Sequence, residues 1–283
     1  MSRYFSLVFA MFLHVMVSQA QTISVPDGDY QIHASLANTT VTMTGRSELR
    51  LTAVTNVLSA CTVNLNSPEA YVRFTAVVPS VVQSTYLSQL RVNGAAAVLN
   101  TNCRIVQYGE GSVVISQPSN FSPLQVFTGK YYTGASANLN QYTAYGDSQL
   151  GVHANNISSF KLKRGYMVTF AANANGTGHS RNYIAQDGDL EISAITSVLD
   201  GTVSFVRVFP WRWVSKKGLA GNVGNNLNSR WWYNWNLDQN SSLDREYVAI
   251  RQNQYWPGLA QNWQTRGVNH LLGYNEPDHV DQA

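Results

Sequence analysis

The stretch Phe127-Thr-Gly-Lys-Tyr-Tyr-Thr-Gly-Ala-Ser136 decides the fold at the centre of this chain, because its pattern occurs twice. Phe170, Gly176, Gly178 and Ser180 repeat its leading aromatic residue and its Gly-x-Ser triplet. The glycine of each triplet favours a tight fold-over, where the backbone needs positive φ. The duplication therefore predicts two structurally equivalent halves.

Each copy of the repeat is followed by a polar loop and a short strand, at Asn155–Leu162 and at Asp189–Ile195. Lys163–Phe170 lies between the copies and also has strand character. This arrangement resembles the βγ-crystallin domain, in which two Greek-key motifs pair into one sandwich. The resemblance implies such a domain over residues 124–200.

Many microbial members of that family bind calcium through six residues of the form Asn/Asp, Asn/Asp, any, any, Ser/Thr, Ser. Ala154–Ser159 lacks the leading acid or amide, and Asp189–Ala194 lacks the second and sixth positions. Calcium needs at least six oxygen ligands, so we expect no metal to be required. If calcium binds, the resemblance implies Ser158 and Asn156 as ligands; the alternative is a degenerate domain held by its core.

The first region, residues 21–123, shows short strands in which apolar and polar residues alternate, as they do in half-buried sheets. Gly109-Glu110-Gly111 separates two such runs and predicts a hairpin. Strands at this spacing predict a β-sandwich module. The alternating runs are Val41–Thr44, Leu49–Thr52, Tyr71–Phe74, Arg104–Tyr108 and Ser112–Ile115.

The first 20 residues have the pattern of a cleaved signal peptide. Arg3 precedes the apolar run Tyr4–Val17, and Ser18-Gln19-Ala20 places small residues before a cleavage site. The run is shorter than a membrane span needs. We therefore expect a secreted protein without a membrane span, processed after Ala20.

Export determines the redox environment of the two cysteines, Cys61 and Cys103. An oxidising compartment would allow them to form a disulfide, and two separately buried thiols are the alternative.

Charged residues make up 12% of the chain and the net charge is +3. This small net charge without a clustered basic stripe argues against a nucleic-acid partner. The sequence does not indicate the oligomeric state.

The third region, residues 201–283, differs in composition, because all seven tryptophans follow residue 210. Val203–Phe209, Tyr247–Ile250 and Val268–Leu272 are apolar runs, and aromatic, amide or charged residues follow each one. Parallel strands that carry a site at their carboxyl ends have this pattern. It predicts the first part of a (β/α)₈ barrel, so that the whole chain has a multi-domain fold.

Leu271-Leu-Gly-Tyr-Asn-Glu-Pro-Asp278 resembles the corresponding motif of glycoside hydrolase family 128, a family of β-1,3-glucan hydrolases with a (β/α)₈ barrel. The resemblance implies that Glu276 is the general acid/base and that Asn275 hydrogen-bonds the sugar 2-hydroxyl. Glycoside hydrolysis of this kind uses two carboxylates. No second Glu or Asp stands at a matching position, so we expect a truncated barrel that does not cleave glucan by itself.

The tryptophans suit a polysaccharide, because indole rings pack against the C–H faces of sugars. Trp235, Trp256 and Trp213 are the predicted sugar contacts, and a β-glucan is the predicted partner. The leading hypothesis is a secreted endo-β-1,3-glucanase with accessory modules. The alternative is a non-catalytic secreted glycan-binding or matrix protein that keeps a remnant of the barrel.

Overall fold

The computed structural model describes residues 20–118, 120–213, 215–221, 227–258, 267–275 and 278. The predicted signal peptide lies outside them, apart from Ala20. The described residues form mostly β-sheet with little helix, which agrees with the strands predicted along the chain from the sequence pattern. No helix in this part of the chain has the length and apolarity of a membrane span.

The first region is a short parallel β-solenoid. Its chain winds through three sheets in turn. The strands are β1 (Gln21–Val25), β2 (Tyr30–His33), β3 (Leu36–Ala37), β4 (Thr39–Met43), β5 (Glu48–Leu51), β6 (Leu58–Ser59), β7 (Thr62–Leu65), β8 (Tyr71–Phe74), β9 (Leu90–Val92), β10 (Ala95–Ala96), β11 (Cys103–Tyr108) and β12 (Gly111–Ser116). Six pairs of strands one coil apart are parallel: β1–β4, β2–β5, β3–β6, β4–β7, β5–β8 and β7–β9.

The predicted β-sandwich for residues 21–123 is therefore wrong in its pairing. Sheet order is β1-β4-β7-β9-β10 on one side, β11-β12-β8-β5-β2 on the second and β3-β6 on the third. The predicted alternation of apolar and polar residues is present, since Val41, Val63, Leu49 and Val72 all point into one core. Alternation is the same in parallel and antiparallel strands, however, so it could not distinguish a solenoid from a sandwich.

The predicted hairpin at Gly109-Glu110-Gly111 is present, with Tyr108 opposite Gly111. Its second strand, β12, pairs antiparallel with β8 and so extends one side of the solenoid. Helical turns connect β8 to β9, and Tyr86 in them stacks on Phe74 with ring centroids 5.6 Å apart. These turns are α1 (Pro79–Val81), a π-helical turn (Val82–Tyr86) and a 3₁₀ turn (Leu87–Gln89).

The predicted disulfide is not formed: Cys61 and Cys103 are both free, buried thiols. Cys61 precedes β7 in one sheet, and its thiol contacts the carbonyl oxygen of Ser59 at 3.3 Å. Cys103 begins β11 in another sheet, opposite Ser116. Both belong to the solenoid core, where they act as small apolar residues.

We expect neither thiol to react with iodoacetamide in the native protein at pH 7, because both are buried; for Cys103, burial also raises the pKa to about 11, and the thiolate is the nucleophile. The ordinary value is 9.0, so the neutral thiol stabilises the fold fully below about pH 9 and less as pH approaches 11. Mass spectrometry should find no label on the folded protein and a label on each cysteine in urea. Unlabelled cysteines in urea without reductant would instead indicate a disulfide.

The second region is a sandwich of two four-stranded sheets. The sheet orders are β14-β13-β16-β19 and β15-β20-β17-β18. Its strands are β13 (Leu124–Phe127), β14 (Ser136–Leu139), β15 (Ala144–Tyr145), β16 (Ser159–Leu162), β17 (Tyr166–Ala171), β18 (Ser180–Ile184), β19 (Leu190–Ile192) and β20 (Phe205–Pro210); its helical turns are Lys130–Tyr132, α2 (Asp147–Leu150) and Gly151–His153.

The two halves of this sandwich exchange their third strands. β15, from the first copy of the repeat, lies in the sheet of the second copy, and β19 lies in the sheet of the first. Each half therefore completes the other in a double Greek key, with Phe160 and Phe170 in contact at the centre. The expected pairing of two equivalent motifs into one sandwich is present.

One strand lies in a different region from the one expected. Val203–Phe209 was predicted to be the first barrel strand. The strand formed there, β20, instead pairs antiparallel with β17 and β15 and lies between them in the second sheet of the sandwich. Val206 and Val208 point into the sandwich core. An apolar strand of this type suits either a barrel or a sandwich, and only its partners decide between them.

The third region begins after β20 and contains short parallel strands. Parallel pairing joins β21 to β22, β22 to β23, and β24 to β25. The strands are β21 (Gly218–Ala220), β22 (Trp231–Tyr233), β23 (Glu246–Tyr247), β24 (Ala249–Ile250) and β25 (Leu271–Leu272). They form two sheets, β21-β22-β23 and β24-β25, which Val248 joins: it alone separates β23 from β24, and its N–H donates to the carbonyl oxygen of Trp232 (2.9 Å). The two sheets together are called the parallel array. Parallel strands are present within two of the three predicted runs, Tyr247–Ile250 and Val268–Leu272; with no crossover helix among the described residues, a (β/α)₈ barrel is not shown.

Candidate functional site

The carboxyl ends of the parallel strands lie at one edge of the array, and Gln252 connects the loops that follow them. The Gln252 side chain donates a hydrogen bond from Nε2 to the carbonyl oxygen of Trp235 (2.9 Å), after β22. Its own carbonyl oxygen accepts from the backbone N–H of Asn275 (3.1 Å), after β25. Three loops that are distant in sequence are thereby held together; this edge is called the aromatic edge below.

Four aromatic residues at the aromatic edge are exposed to solvent. The exposed fractions are 39% for Trp235, 45% for Trp256, 81% for Tyr255 and 40% for Tyr274. Trp235 is also fixed by an edge-to-face contact with Tyr233, with ring centroids 5.1 Å apart. Exposed rings on ordered loops are suitable for packing against sugar C–H faces. Trp235 and Trp256 were predicted from sequence; Tyr255 and Tyr274 were not, although both follow a strand end.

The Trp256 loop is held by its own side chains. Asn253 Oδ1 accepts hydrogen bonds from the backbone N–H groups of Tyr255 (2.9 Å) and Trp256 (2.8 Å). The Arg251 guanidinium donates to the carbonyl oxygens of Pro257 (2.9 Å) and Gln254. These contacts fix the backbone, so Trp256 is presented from a defined position despite its exposure.

Below the aromatic edge, a polar network fixes the Trp235 loop. The Asp238 carboxylate accepts from the side-chain amides of Asn234 (2.9 Å) and Asn236 (3.2 Å). Tyr247 is fully buried and donates its hydroxyl towards Asn234 Oδ1 (2.7 Å). The network is partly exposed, and the buried Tyr247 ties it to the interior, which holds the loop in one position as a preformed binding surface requires.

Trp213 does not take part in the aromatic edge. It is buried against the solenoid strands, in a cluster with Val106, Val113 and Ile115, and its ring lies 5.5 Å from that of Tyr108. Its predicted role as a sugar contact is therefore corrected: no face of the indole is open to a ligand. In the sequence Trp213 simply follows an apolar run, and nothing in that position indicates that the solenoid covers its indole ring.

Glu276, the predicted acid/base, lies outside the described residues. Its neighbour Asn275 is half-buried and is anchored to Gln252 through its backbone. Among the described acidic residues of the array, Glu246 is fully buried, with Oε1 2.6 Å from His270 Nδ1. Glu246 therefore stabilises the interior and has no access to a substrate.

The predicted calcium ligands Ser158 and Asn156 contact other groups of the sandwich in this structure. Ser158 hydrogen-bonds Asp200, and the Lys130 ammonium lies 2.9 Å from the same carboxylate. Both contacts, that of Lys130 first, lower the pKa of Asp200. Asn156 is exposed and donates only to the carbonyl oxygen of Val152 (3.4 Å). Among the described residues no group of three or more His, Cys, Asp or Glu side chains could hold a metal ion; calcium binding through Ser158 and Asn156 stays a prediction.

The second calcium stretch was also assigned to the wrong strand. Asp189 leads into β19, the third strand of its repeat, where Lys163 (2.7 Å) and the backbone N–H of Arg164 (2.8 Å) occupy its carboxylate. The structural counterpart of Asn155–Ser159 is Asp200–Ser204, which leads into β20. The two stretches face each other, since Ser204 Oγ lies 2.8 Å from Asn155 Oδ1.

Comparison with known families gives one match, in the third region. A family model described as glycosyl hydrolase catalytic core matches residues 210–283. The match covers the parallel array and the aromatic edge and suggests a glycoside-hydrolase-like region. Family 128 in particular is not identified by it. Comparison with curated proteins gives no match.

Solved structures similar to this chain include βγ-crystallin domains. One from Flavobacterium johnsoniae is 24% identical and covers 31% of this chain and 96% of its own, with a TM-score of 0.28. One from Clostridium beijerinckii is 21% identical and covers 31% and 98%, also with a TM-score of 0.28. The N-terminal domain of protein S is 23% identical and covers 31% and 97%, at the same TM-score.

Proposed function

We propose that the third region is the polysaccharide-binding part of a secreted glycoside hydrolase that acts on β-1,3-glucan. The observation that carries the proposal is the aromatic edge: four exposed rings on three loops held together by Gln252. The match to a glycosyl hydrolase catalytic core over the same residues supports it. Glu276 is the proposed general acid/base and Asn275 its partner on the sugar 2-hydroxyl.

The position of the rings agrees with this chemistry. Ligands of parallel α/β structures bind outside the carboxyl ends of the strands, and Trp235, Trp256 and Asn275 all follow such ends. Asn275 directly precedes Glu276 in the sequence, and Asn275 itself lies at this edge through its backbone contact with Gln252.

The solenoid and the sandwich are the proposed accessory modules. Neither groups titratable side chains into an arrangement for bond cleavage among the described residues, and each has its own apolar core. Modules of this kind can hold an enzyme near an insoluble substrate. Export through the signal sequence that ends at Ala20 is part of the same proposal.

We expect Trp256→Ala and Trp235→Ala each to weaken laminarin binding about tenfold, because each removes a stacking face worth roughly 1.4 kcal/mol. Affinity electrophoresis on laminarin gels measures the change, with circular dichroism to verify folding. Tyr30→Ala is the matched control, since Tyr30 is an exposed aromatic residue of the solenoid. Equal retardation of all three variants would contradict the proposal.

We expect this chain to bind laminarin without releasing reducing sugar, because it offers no second carboxylate at a matching position. Incubation with laminarin and a reducing-end assay test this directly. Sugar release that disappears in Glu276→Gln would establish the acid/base role and overturn the expected inactivity. Binding to laminarin without catalysis, in longer forms of the protein as well, would favour the alternative of a glycan-binding matrix protein.

A further inference from the structure

A cavity of about 400 Å³ lies where the three regions meet. The solenoid contributes Arg104 and Gln107, the sandwich contributes Gln141 and Tyr142, and the third region contributes Arg212 and Asn269. The volume is within the usual range for small-molecule sites. We call this space the junction cavity.

The junction cavity is at the opposite end of the parallel strands from the aromatic edge. Leu243 in its wall precedes β23, and Asn269 precedes β25. Residues of the aromatic edge follow the same strands. The cavity is therefore a separate site, and its occupancy does not depend on the function proposed above.

Two guanidinium groups line the junction cavity, and no carboxylate is among its lining residues. Arg104 is fixed by a hydrogen bond to the carbonyl oxygen of Gly165 (3.2 Å) and by the ring of Tyr166, 4.5 Å away. Arg212 donates to the carbonyl oxygens of Leu243 (3.0 Å) and Ser242. Within the described part of the chain, neither guanidinium group forms an ion pair, and the hydrogen-bond partners named here are carbonyl oxygens.

Electrostatics around Arg212 agree with this geometry. Burial lowers the pKa of Arg212 and the positive charge of Arg104 lowers it further, whereas the nearby charges of Glu246 and Asp244 oppose these effects. The two guanidinium groups are therefore close enough to repel each other. An anion between them would relieve the repulsion and hydrogen-bond with both.

Unpaired polar atoms line the same space. Gln107 is 2% exposed, and both Nε2 and Oε1 lack a hydrogen-bond partner among the described residues. Gln141 Oε1 and Arg212 Nε are buried without a partner as well. Leaving a buried amide unpaired costs on the order of 1–3 kcal/mol, so three side chains of one cavity offer unused donors and acceptors.

We propose that the junction cavity binds a small oxyanion, the carboxylate or sulfate of a sugar-sized molecule. Arg104 and Arg212 bind the charged oxygens. The Gln107 and Gln141 amides hydrogen-bond the neighbouring hydroxyl or ring oxygens. Apolar wall residues such as Val106 and Trp211 contact the rest of the ligand.

The test is calorimetric titration of the full chain with glucuronate, inorganic sulfate and, as the neutral control, glucose. We expect both anions to bind with dissociation constants of about 1 mM or below, and glucose to give no signal. Tighter binding of glucuronate than of sulfate would indicate that the Gln107 and Gln141 amides hydrogen-bond the sugar. Equal binding would indicate that the site recognises the anionic group alone. Either result supports the proposal, and the absence of anion binding at about 10 mM overturns it.

Two substitutions locate the bound anion. Gln107→Met keeps the volume and removes the unpaired amide; we expect at least a tenfold loss of glucuronate affinity and no decrease in the Tm of the free protein. Arg104→Gln should weaken both anions, and Arg46→Gln, on the exposed solenoid surface, should weaken neither. Anion binding that survives both cavity substitutions unchanged places the site elsewhere and overturns the proposal.

Discussion

Replacing Gly111 by alanine is expected to lower the free energy of unfolding by about 3 kcal/mol or more. A Cβ atom at this position would lie 2.0 Å from the carbonyl oxygen of Phe74 and 2.5 Å from the carbonyl carbon of Thr75. Both are backbone atoms at the end of β8, which pairs with β12 through Ser112 and Phe74. The clash can be relieved only by separating two paired strands.

Chemical denaturation followed by circular dichroism measures this loss. Gly109→Ala is the matched control, two residues away in the same hairpin. A Cβ there meets nothing within 4 Å, although φ is +58°, so its cost is the left-handed backbone alone, about 1 kcal/mol. Equal losses for the two variants would show that the close approach of Gly111 to β8 does not matter.

His270→Ala is expected to destabilise the third region by about 3 kcal/mol, because it leaves the buried Glu246 carboxylate without its hydrogen-bond donor. Glu246 is fully buried, Oε1 lies 2.6 Å from His270 Nδ1, and Oε2 has no partner among the described residues. The charge of Arg212 is nearby but does not replace the hydrogen bond. Urea unfolding, monitored by tryptophan fluorescence, reports on this region because all seven tryptophans follow residue 210.

A double-mutant cycle separates the pair from other effects of the histidine. Glu246→Gln in the His270→Ala background should recover more than half of the loss, since a neutral amide is cheaper to bury than an unpaired carboxylate. His179→Ala, on the exposed surface of the sandwich, should change stability by less than about 0.5 kcal/mol. Strict additivity of the two substitutions would mean that Glu246 and His270 are not coupled.

Features that depend on neighbouring residues could be predicted from the sequence. The hairpin at Gly109–Gly111, the two halves of the repeat and the strand ends followed by aromatic residues are of this kind. In each, the signal and its structural cause lie within a few residues, as with alternation and turn glycines. Exposure of Trp235 and Trp256 agrees with their place after a strand for the same reason.

Features that depend on partners distant in sequence could not be predicted. β20 has the pattern of a barrel strand but lies in the sandwich, because it pairs with β17 and β15 and not with β22. Cys61 and Cys103 suited a disulfide by compartment, but they lie in different sheets as separate core residues. Trp213 was assigned to sugar, and the solenoid strands cover it instead.

The sequence alone determined that this chain is β-rich, that its centre is duplicated, and that a glycosidase-like motif follows a parallel strand. Local backbone geometry and side-chain alternation encode these properties. Tertiary structure alone decided that the first region winds in parallel, that the repeats exchange their third strands, and that Gln252 gathers three loops. Backbone hydrogen-bonding groups are chemically the same in every residue. The choice among possible strand partners is therefore made by the packing of the whole chain.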